Sequence, residues 1–198
     1  MENIIANQEK KKEIITREMI TKADGSLDTS IVGNLIRRGT YIRDLPLKVA
    51  YYDRRSIKEC PHMELNSEKL FKDIMEKHKN WIIYGTYSEV GIISHPFESR
   101  AMFSKMIQDA YDHKFDLIIT RDISRFSSNV CEGMECTQEL LKNGVGVWAI
   151  NDGILTFDRG TEFPLGIMLA IAQEESRRLY VRYKSNCKFM ENKNYTHI

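Results

Sequence analysis

The chain has 198 residues, with 29 Lys+Arg against 28 Asp+Glu, 42% hydrophobic residues and four cysteines. That length suits one sizeable domain with an appendage, and a net charge of +1 excludes global attraction to nucleic acid, so any such contact needs local clusters of Arg and Lys. Cys60, Cys131, Cys136 and Cys187 form no CxxC pair and read as reduced, cytosolic thiols. No apolar run nears the ~20 residues that cross a bilayer, and the N-terminus MENIIANQEKKKE has no apolar signal core. A cytoplasmic protein without a membrane partner is expected.

In chain order, residues 1–46 read as an N-terminal extension of uncertain order. A helical pattern runs from Gln8 to Lys22 with Ile14, Ile15, Met19 and Ile20 on one face, then the turn ADGSLDTS, then a short helix at 29–38. Two short helices around a turn also match a helix-turn-helix remnant, the plainer reading being a docking segment. From Leu47 the pattern changes. Apolar or β-branched runs at 47–52, 81–87, 116–122 and 145–150 alternate with helical patterns at about 65–78, 98–113 and 130–142. That is the signature of an α/β domain with a mostly parallel sheet flanked by helices. Such a sheet presents its chemistry beyond the carboxyl ends of the strands. After Pro164 one long helical pattern begins apolar and turns basic. Residues 177–193 hold Arg177, Arg178, Arg182, Lys184, Lys188 and Lys193 against Glu191. Such a helix can pair with a copy of itself near its start and follow a phosphate backbone near its end, the alternative being a solvated surface helix whose cations suit its dipole.

Two strand ends carry the candidate chemistry. The first strand runs into YYDRRS, and alternation puts Arg54 and Ser56 on one side. A serine hydroxyl becomes a nucleophile when the charge that develops in attack is stabilised, and guanidinium forks do this at phosphoryl centres. The third strand ends in TRDISRFSSN, bringing Arg121, Asp122, Ser124 and Arg125 to the same edge, and Arg100 opens the helix after the second strand. Structural ion pairs such as Arg121 with Asp122 are the competing reading. No GxxxxGK[ST] or GxGxxG occurs, and the five histidines are scattered, so no glycine-rich nucleotide loop, metal site or His-based triad is expected.

Over residues 47–190 these pieces resemble the catalytic domain of the serine recombinases, the resolvase, invertase and large serine integrase group. The pieces, in the family's order, are Tyr52, Arg54 and Ser56; Tyr87, Glu89 and Gly91; Arg100; Ser124, Arg125, Phe126 and Asn129; and Ala172 and Glu175. The resemblance implies a resolvase-like three-layer fold: 47–163 form the catalytic core, and 164–198 a long C-terminal oligomerisation helix that links to DNA. It implies that Ser56 attacks a DNA phosphodiester to give a 5′-phosphoserine link and a free 3′-hydroxyl, later reversed on exchanged ends. Arg54, Arg100 and Arg125 would hold the phosphate and Tyr52 would mainly support Arg54, with no cofactor. Double-stranded DNA is the implied substrate, with a homodimer that becomes a tetramer in synapsis.

Three departures stand beside it. Ser128 occupies the place of a second usual arginine, Cys60 that of a usual glutamine, and Ile93-Ser94 that of a usual Ser-Gly. Arg121 or Arg55 are candidates to replace the lost charge, and Asp122 is a nearby candidate carboxylate for proton transfer, the general base and acid not being evident. The chain also stops within or just after the long helix, so it reads as a catalytic domain lacking an evident DNA-binding domain. The alternative to an active recombinase is a catalytically impaired relative that acts as a DNA-binding, oligomerisation or regulatory module, for instance paired with a full-length recombinase.

Overall fold

A computed structural model describes residues 14–55, 62–90 and 100–194, apart from the side chains of 55, 62–68, 90, 183 and 185–194. Five strands form one sheet in the order β2-β1-β3-β4-β5. They are β1 (Lys48–Arg55), β2 (Ile82–Val90), β3 (Leu117–Thr120), β4 (Gly146–Ala149) and β5 (Ile154–Leu155). The first four are mutually parallel, and β5 is antiparallel to β4. Helices make the crossovers: α1 (Thr29–Arg37) precedes the sheet, α2 (His62–Lys77) follows β1, and α3 (Ala101–Tyr111) follows β2. After β3 come α4 (Ile123–Phe126) and α5 (Val130–Lys142), and α6 (Glu162–Asn194) closes the described chain.

The expected strands and crossover helices are present, and the sheet is sandwiched. Val49, Ala50, Tyr51 and Tyr52 of β1 are all at most 2% exposed, which is why that strand reads as a continuous apolar run rather than an alternating one. Ala50, Tyr52, Ile118, Val147 and Ala149 pack with Phe103 and Met106 of α3, Leu140 of α5 and Leu165 and Leu169 of α6. Val49, Tyr51, Leu117 and Ile119 face the other way, onto Ile74 of α2 and Trp81. This is the three-layer arrangement that the resemblance implies.

The segment 14–46 completes that second layer. Ile20, Leu27, Val32 and Leu45 are 0–1% exposed within it, each burial contributing about 1.5–3 kcal/mol. Arg17 donates from Nη1 and Nη2 to the Asp116 carboxylate at 2.6 and 2.9 Å. Asp116 Oδ2 also accepts the Lys48 backbone N–H at 2.7 Å, so one carboxylate ties the extension to the amino ends of β1 and β3. Gly144, at φ +81, ends α5 where a Cβ would meet the Leu27 carbonyl at 2.8 Å; glycine is required there on both counts.

The local predictions differ in places. Of the helix expected at 8–22, the described part is a 3-10 turn at Arg17–Ile20, after which Thr21 bridges Leu27 in antiparallel fashion; residues 8–13 lie outside the described residues. Thr16 caps nothing with its side chain, and the β-branched Ile14, Ile15, Thr16, Ile20 and Thr21 are weak helix formers. The reading of two helices around a turn therefore fails in its first helix. α1 matches closely, because Asp28 accepts from the N–H groups of Ser30 and Ile31, the cap that starts a helix. Among the α-helices and strands of the described residues, two have no counterpart in the sequence pattern: α4, one turn long, and β5, two residues long. Neither is long enough to show a period.

Candidate active site

The chain passes from β1 to β2 on one side and then crosses back past β1 to β3 on the other, so the crevice between the carboxyl ends of β1 and β3 is the topological switch point where α/β sheets bind ligands. Arg54 lies at one lip and the segment Ser124–Arg125 at the other. They clasp each other: Arg54 Nη2 donates to the Ser124 carbonyl at 2.8 Å, and Arg125 Nη1 donates to the Arg54 carbonyl at 2.5 Å.

Arg100 joins them from the position before α3. It is 7% exposed. Its Nη1 donates to the Phe126 carbonyl at 2.8 Å, its Nη2 to the Arg125 carbonyl at 3.2 Å and to the Tyr52 hydroxyl, and its Nε to Glu89 at 3.4 Å. At least four of its five N–H donors thus point into the protein, and the guanidinium also lies 4.0 Å over the Phe103 ring. Arg100 fixes the segment 125–126 and contributes charge.

Glu89 is the carboxylate among these arginines. Its Oε2 accepts from the Tyr52 hydroxyl at 3.0 Å as well as from Arg100 Nε, and its Oε1 accepts the Phe103 backbone N–H at 2.9 Å. Phe103 is the third residue of α3, whose N-cap Arg100 makes no side-chain cap bond. Glu89 therefore caps α3 from the neighbouring strand, satisfying an orphan N–H where the helix dipole favours an anion. In the sequence Glu89 shows only as a match to the family between Tyr87 and Gly91, without a role of its own. Tyr52, expected mainly to support Arg54, has its hydroxyl between Arg100 and Glu89.

Burial and repulsion shape the electrostatics. Arg54 is 4% exposed, and its guanidinium is lowered to about 10, first by burial and then by Arg100, yet it stays charged at neutral pH. Tyr52 is pushed up to about 12 by burial, so it remains a neutral hydroxyl. Four guanidiniums, Arg54, Arg100, Arg121 and Arg125, against two carboxylates, Glu89 and Asp122, leave an excess of positive charge at the switch point, an arrangement that an incoming phosphate relieves.

The other expected residues are placed as follows. Arg121 pairs with Asp122 at 3.0 Å, Arg125 Nε approaches the same carboxylate at 3.8 Å, and Asn151 donates to it at 2.7 Å. Asp122 and Arg121 thus form the ion pair that was the competing reading. Asp152 accepts the Ile123 N–H at 2.6 Å and so begins α4, a role not foreseen from the turn Asn151-Asp152-Gly153. Ser128 is half-buried between Ser127, whose Oγ accepts the Asn129 N–H at 3.1 Å, and Asn129, which caps α5 through the Glu132 N–H. Ser56 and Cys60 lie outside the described residues. On α6, Arg177 and Arg178 both pair with Glu174 at 2.7 and 2.9 Å, while Arg182 and Lys184 are exposed; the Lys188 side chain lies outside the described residues. Among the described residues no three His, Cys, Asp or Glu side chains gather as metal ligands, and no helix is long and apolar enough to cross a membrane.

The family model for the resolvase N-terminal domain matches residues 49–192. No curated protein matches the chain in sequence. Among solved structures, the N-terminal catalytic domain of TP901-1 integrase is similar at 23% identity, over 67% of this chain and 98% of that one, with a TM-score of 0.50. A resolvase family site-specific recombinase from Streptococcus pneumoniae is 22% identical over 74% and 99%, with a TM-score of 0.46. The first of these structures shares the fold, and the family model spans the sheet, the clasp and most of α6, so the chain belongs to the resolvase N-terminal domain family of the serine recombinases.

Proposed function

We propose that this protein is a site-specific DNA recombinase that exchanges strands through Ser56. The Ser56 hydroxyl attacks the phosphorus of a DNA phosphodiester and loses its proton; the P–O3′ bond breaks, the 3′-oxygen takes up a proton, and a 5′-phosphoserine link remains until a 3′-hydroxyl from the exchanged end reverses the step. Arg54 and Arg125, at the two lips, hold the phosphate oxygens and offset the charge that grows on them. Arg100 positions the 125–126 segment and Tyr52, and Arg121 and Asp122 brace Arg125. The observation that carries this reading is the convergence of three guanidiniums, two of them under 8% exposed, at the switch point two residues before Ser56.

In the same reading residues 47–163 are the catalytic core, preceded by the extension 1–46, and 164–198 are the helix and tail that assemble the enzyme. α6 is 33 residues long, about 50 Å. It buries Leu165, Leu169 and Ala172 in its own chain and exposes Phe163 (77%), Ile167 and Ile171. That second apolar stripe, at spacing i, i+4, i+8, suits a homodimer and, in synapsis, a tetramer. Arg177, Arg178, Arg182, Lys184 and Lys188 then follow the DNA backbone, in the cytoplasm where the DNA is.

The test is a denaturing gel for a covalent protein–DNA adduct with wild type, Ser56→Ala and Ser128→Arg. An adduct in wild type that vanishes in Ser56→Ala is expected. Ser128 favours a second reading: losing one preorganised donor typically costs on the order of 10²–10³ in rate, so an adduct formed only by Ser128→Arg would mark an impaired enzyme that serves as a binding or regulatory module, for instance beside a full-length recombinase.

A further inference from the structure

At the amino edge of the sheet, opposite the clasp, a second cationic surface is built by residues outside the family match, which begins at residue 49, together with the turn before β2. α1 ends in Arg37 and Arg38, a tight turn follows in which Thr40 N–H bonds the Leu35 carbonyl, and a 3-10 turn at Ile42–Asp44 carries Arg43. That turn is held against the α2–β2 connection, because Trp81 Nε1 donates to the Ile42 carbonyl at 3.2 Å and Asn80 Nδ2 to the Asp44 carbonyl at 3.3 Å. The α2–β2 connection, which carries Lys77 and Lys79, thus abuts the turn that carries Arg43.

All five cations are exposed, and among the described residues none of them has a carboxylate partner. Some other exposed or half-buried cations have one: Arg17 with Asp116, Arg121 with Asp122, Lys114 with Asp109 and Asp112, and Arg177 and Arg178 with Glu174; what sets this group apart is that its five cations come from two neighbouring turns. The stretches 35–43 and 77–84 contain no acidic residue, and Asp44 and Glu76, which border them, pair with none of the five cations. Arg43 is steadied with its guanidinium 4.5 Å over the Tyr41 ring, itself 61% exposed, so its planar fork is preorganised at little cost in rotamer entropy. A cluster of unneutralised cations with arginine forks is the electrostatic footprint of a phosphate backbone.

We infer that this amino-edge surface, Arg37, Arg38 and Arg43 with Lys77 and Lys79, is a second contact for duplex DNA, sequence-independent and separate in place from the arginines at the carboxyl edge. The inference rests on the reading of the chain as a DNA enzyme. β1 alone separates the two edges by eight residues, roughly 26 Å at strand rise, so the two contacts are distinct patches. Being salt-dependent and blind to sequence, this contact raises residence on DNA without choosing a site.

The test is fluorescence anisotropy on a labelled duplex of arbitrary sequence, titrated at several salt concentrations, with full-length wild type, the triple Arg37→Gln/Arg38→Gln/Arg43→Gln and the triple Arg→Lys at the same positions. Each lost phosphate contact removes about 0.9 from the slope of log K against log salt. The Gln triple is expected to lose about 2 to 3 from that slope, and the Lys triple, which keeps the charge, to stay within about 1 of wild type. The substituted side chains are exposed, and an unchanged melting temperature in both triples confirms the fold. An unchanged slope in the Gln triple overturns the inference, as does absence of duplex binding by wild type at the lowest salt. Competition by polyglutamate as effective as by DNA also overturns it, in favour of an acidic protein partner. The Ser56 adduct assay run in parallel separates the two readings: an adduct with an unchanged slope leaves the enzyme and removes the patch, and a lost slope without an adduct leaves the patch and removes the enzyme.

Discussion

Replacing Glu89 by Gln removes the negative charge that lies among Arg54, Arg100 and Arg125 while keeping the shape of the side chain. The carboxylate makes three contacts: the Phe103 N–H at 2.9 Å, the Tyr52 hydroxyl at 3.0 Å and Arg100 Nε at 3.4 Å. An amide oxygen retained at Oε1 keeps the first, so α3 stays capped. The amide nitrogen that then replaces Oε2 faces an arginine N–H, donor against donor, and that contact is lost. Glu89 and Arg100 are 10% and 7% exposed, and removing one partner of a buried pair costs about 3–5 kcal/mol. With the cap retained, about 2–4 kcal/mol is expected, which in a chain of this size lowers Tm by roughly 5–15 °C. Urea unfolding of wild type, Glu89→Gln, Arg100→Met and the double variant measures it, and the double-mutant cycle should return a coupling of at least about 1 kcal/mol. A Glu89→Gln cost below about 0.5 kcal/mol, or a coupling near zero, would refute the argument that Glu89 is the counter-charge of this cluster.

Tyr87→Phe removes a buried hydrogen bond of 2.5 Å to Asp109 and is expected to cost about 1.5 kcal/mol in urea unfolding, the low end for a charged acceptor because Lys114 remains bonded to it. Lys114 first, and then Tyr87, hold the Asp109 carboxyl below its ordinary 3.8; a depressed carboxylate stabilises above that pH and loses the contribution as pH falls through its folded value, so the acid limb of the wild-type stability curve below about pH 4 should be shallower in Asp109→Asn. Gly133→Ala puts a Cβ 2.7 Å from Leu169 Cδ2 and 3.2 Å from Ser127 Cβ, where α5 meets a fully buried residue of α6, and should destabilise by about 1–3 kcal/mol despite the better helix propensity of alanine. Arg17→Met leaves Asp116 with the Lys48 N–H but without its bidentate partner; because Arg17 is 29% exposed, about 1–3 kcal/mol is expected. The unfolding curve should stay a single transition, two separate transitions showing that residues 14–46 melt on their own.

Much of the architecture was legible in the residues themselves. Continuous apolar runs at β1 and β3, helical periods between them and the Asn143-Gly144 stop of α5 are local signals, because a chain buried on both faces has no polar residue to alternate with and a helix end needs a residue that tolerates positive φ. The arginines at two strand ends were legible for a related reason: parallel strands place all their carboxyl ends on one edge, so strand assignment brings Arg54 and the segment after β3 to that edge, while α4 sets where Arg125 meets Arg54. What tertiary structure decided was everything that depends on a partner distant in the chain. Residues 14–46 read as an appendage because their burial is supplied by the sheet, and only Ile20, Leu27, Val32 and Leu45 in contact with β1 and β3 make them part of the core. Tyr52 and Glu89 are 37 residues apart and Glu89 and Arg100 eleven, so no local pattern could assign the carboxylate to the arginines. A charge is expressed or neutralised by what stands next to it in space, which is why Arg17 is paired with Asp116, 99 residues away, while Arg37, Arg38 and Arg43 have no carboxylate partner among the described residues.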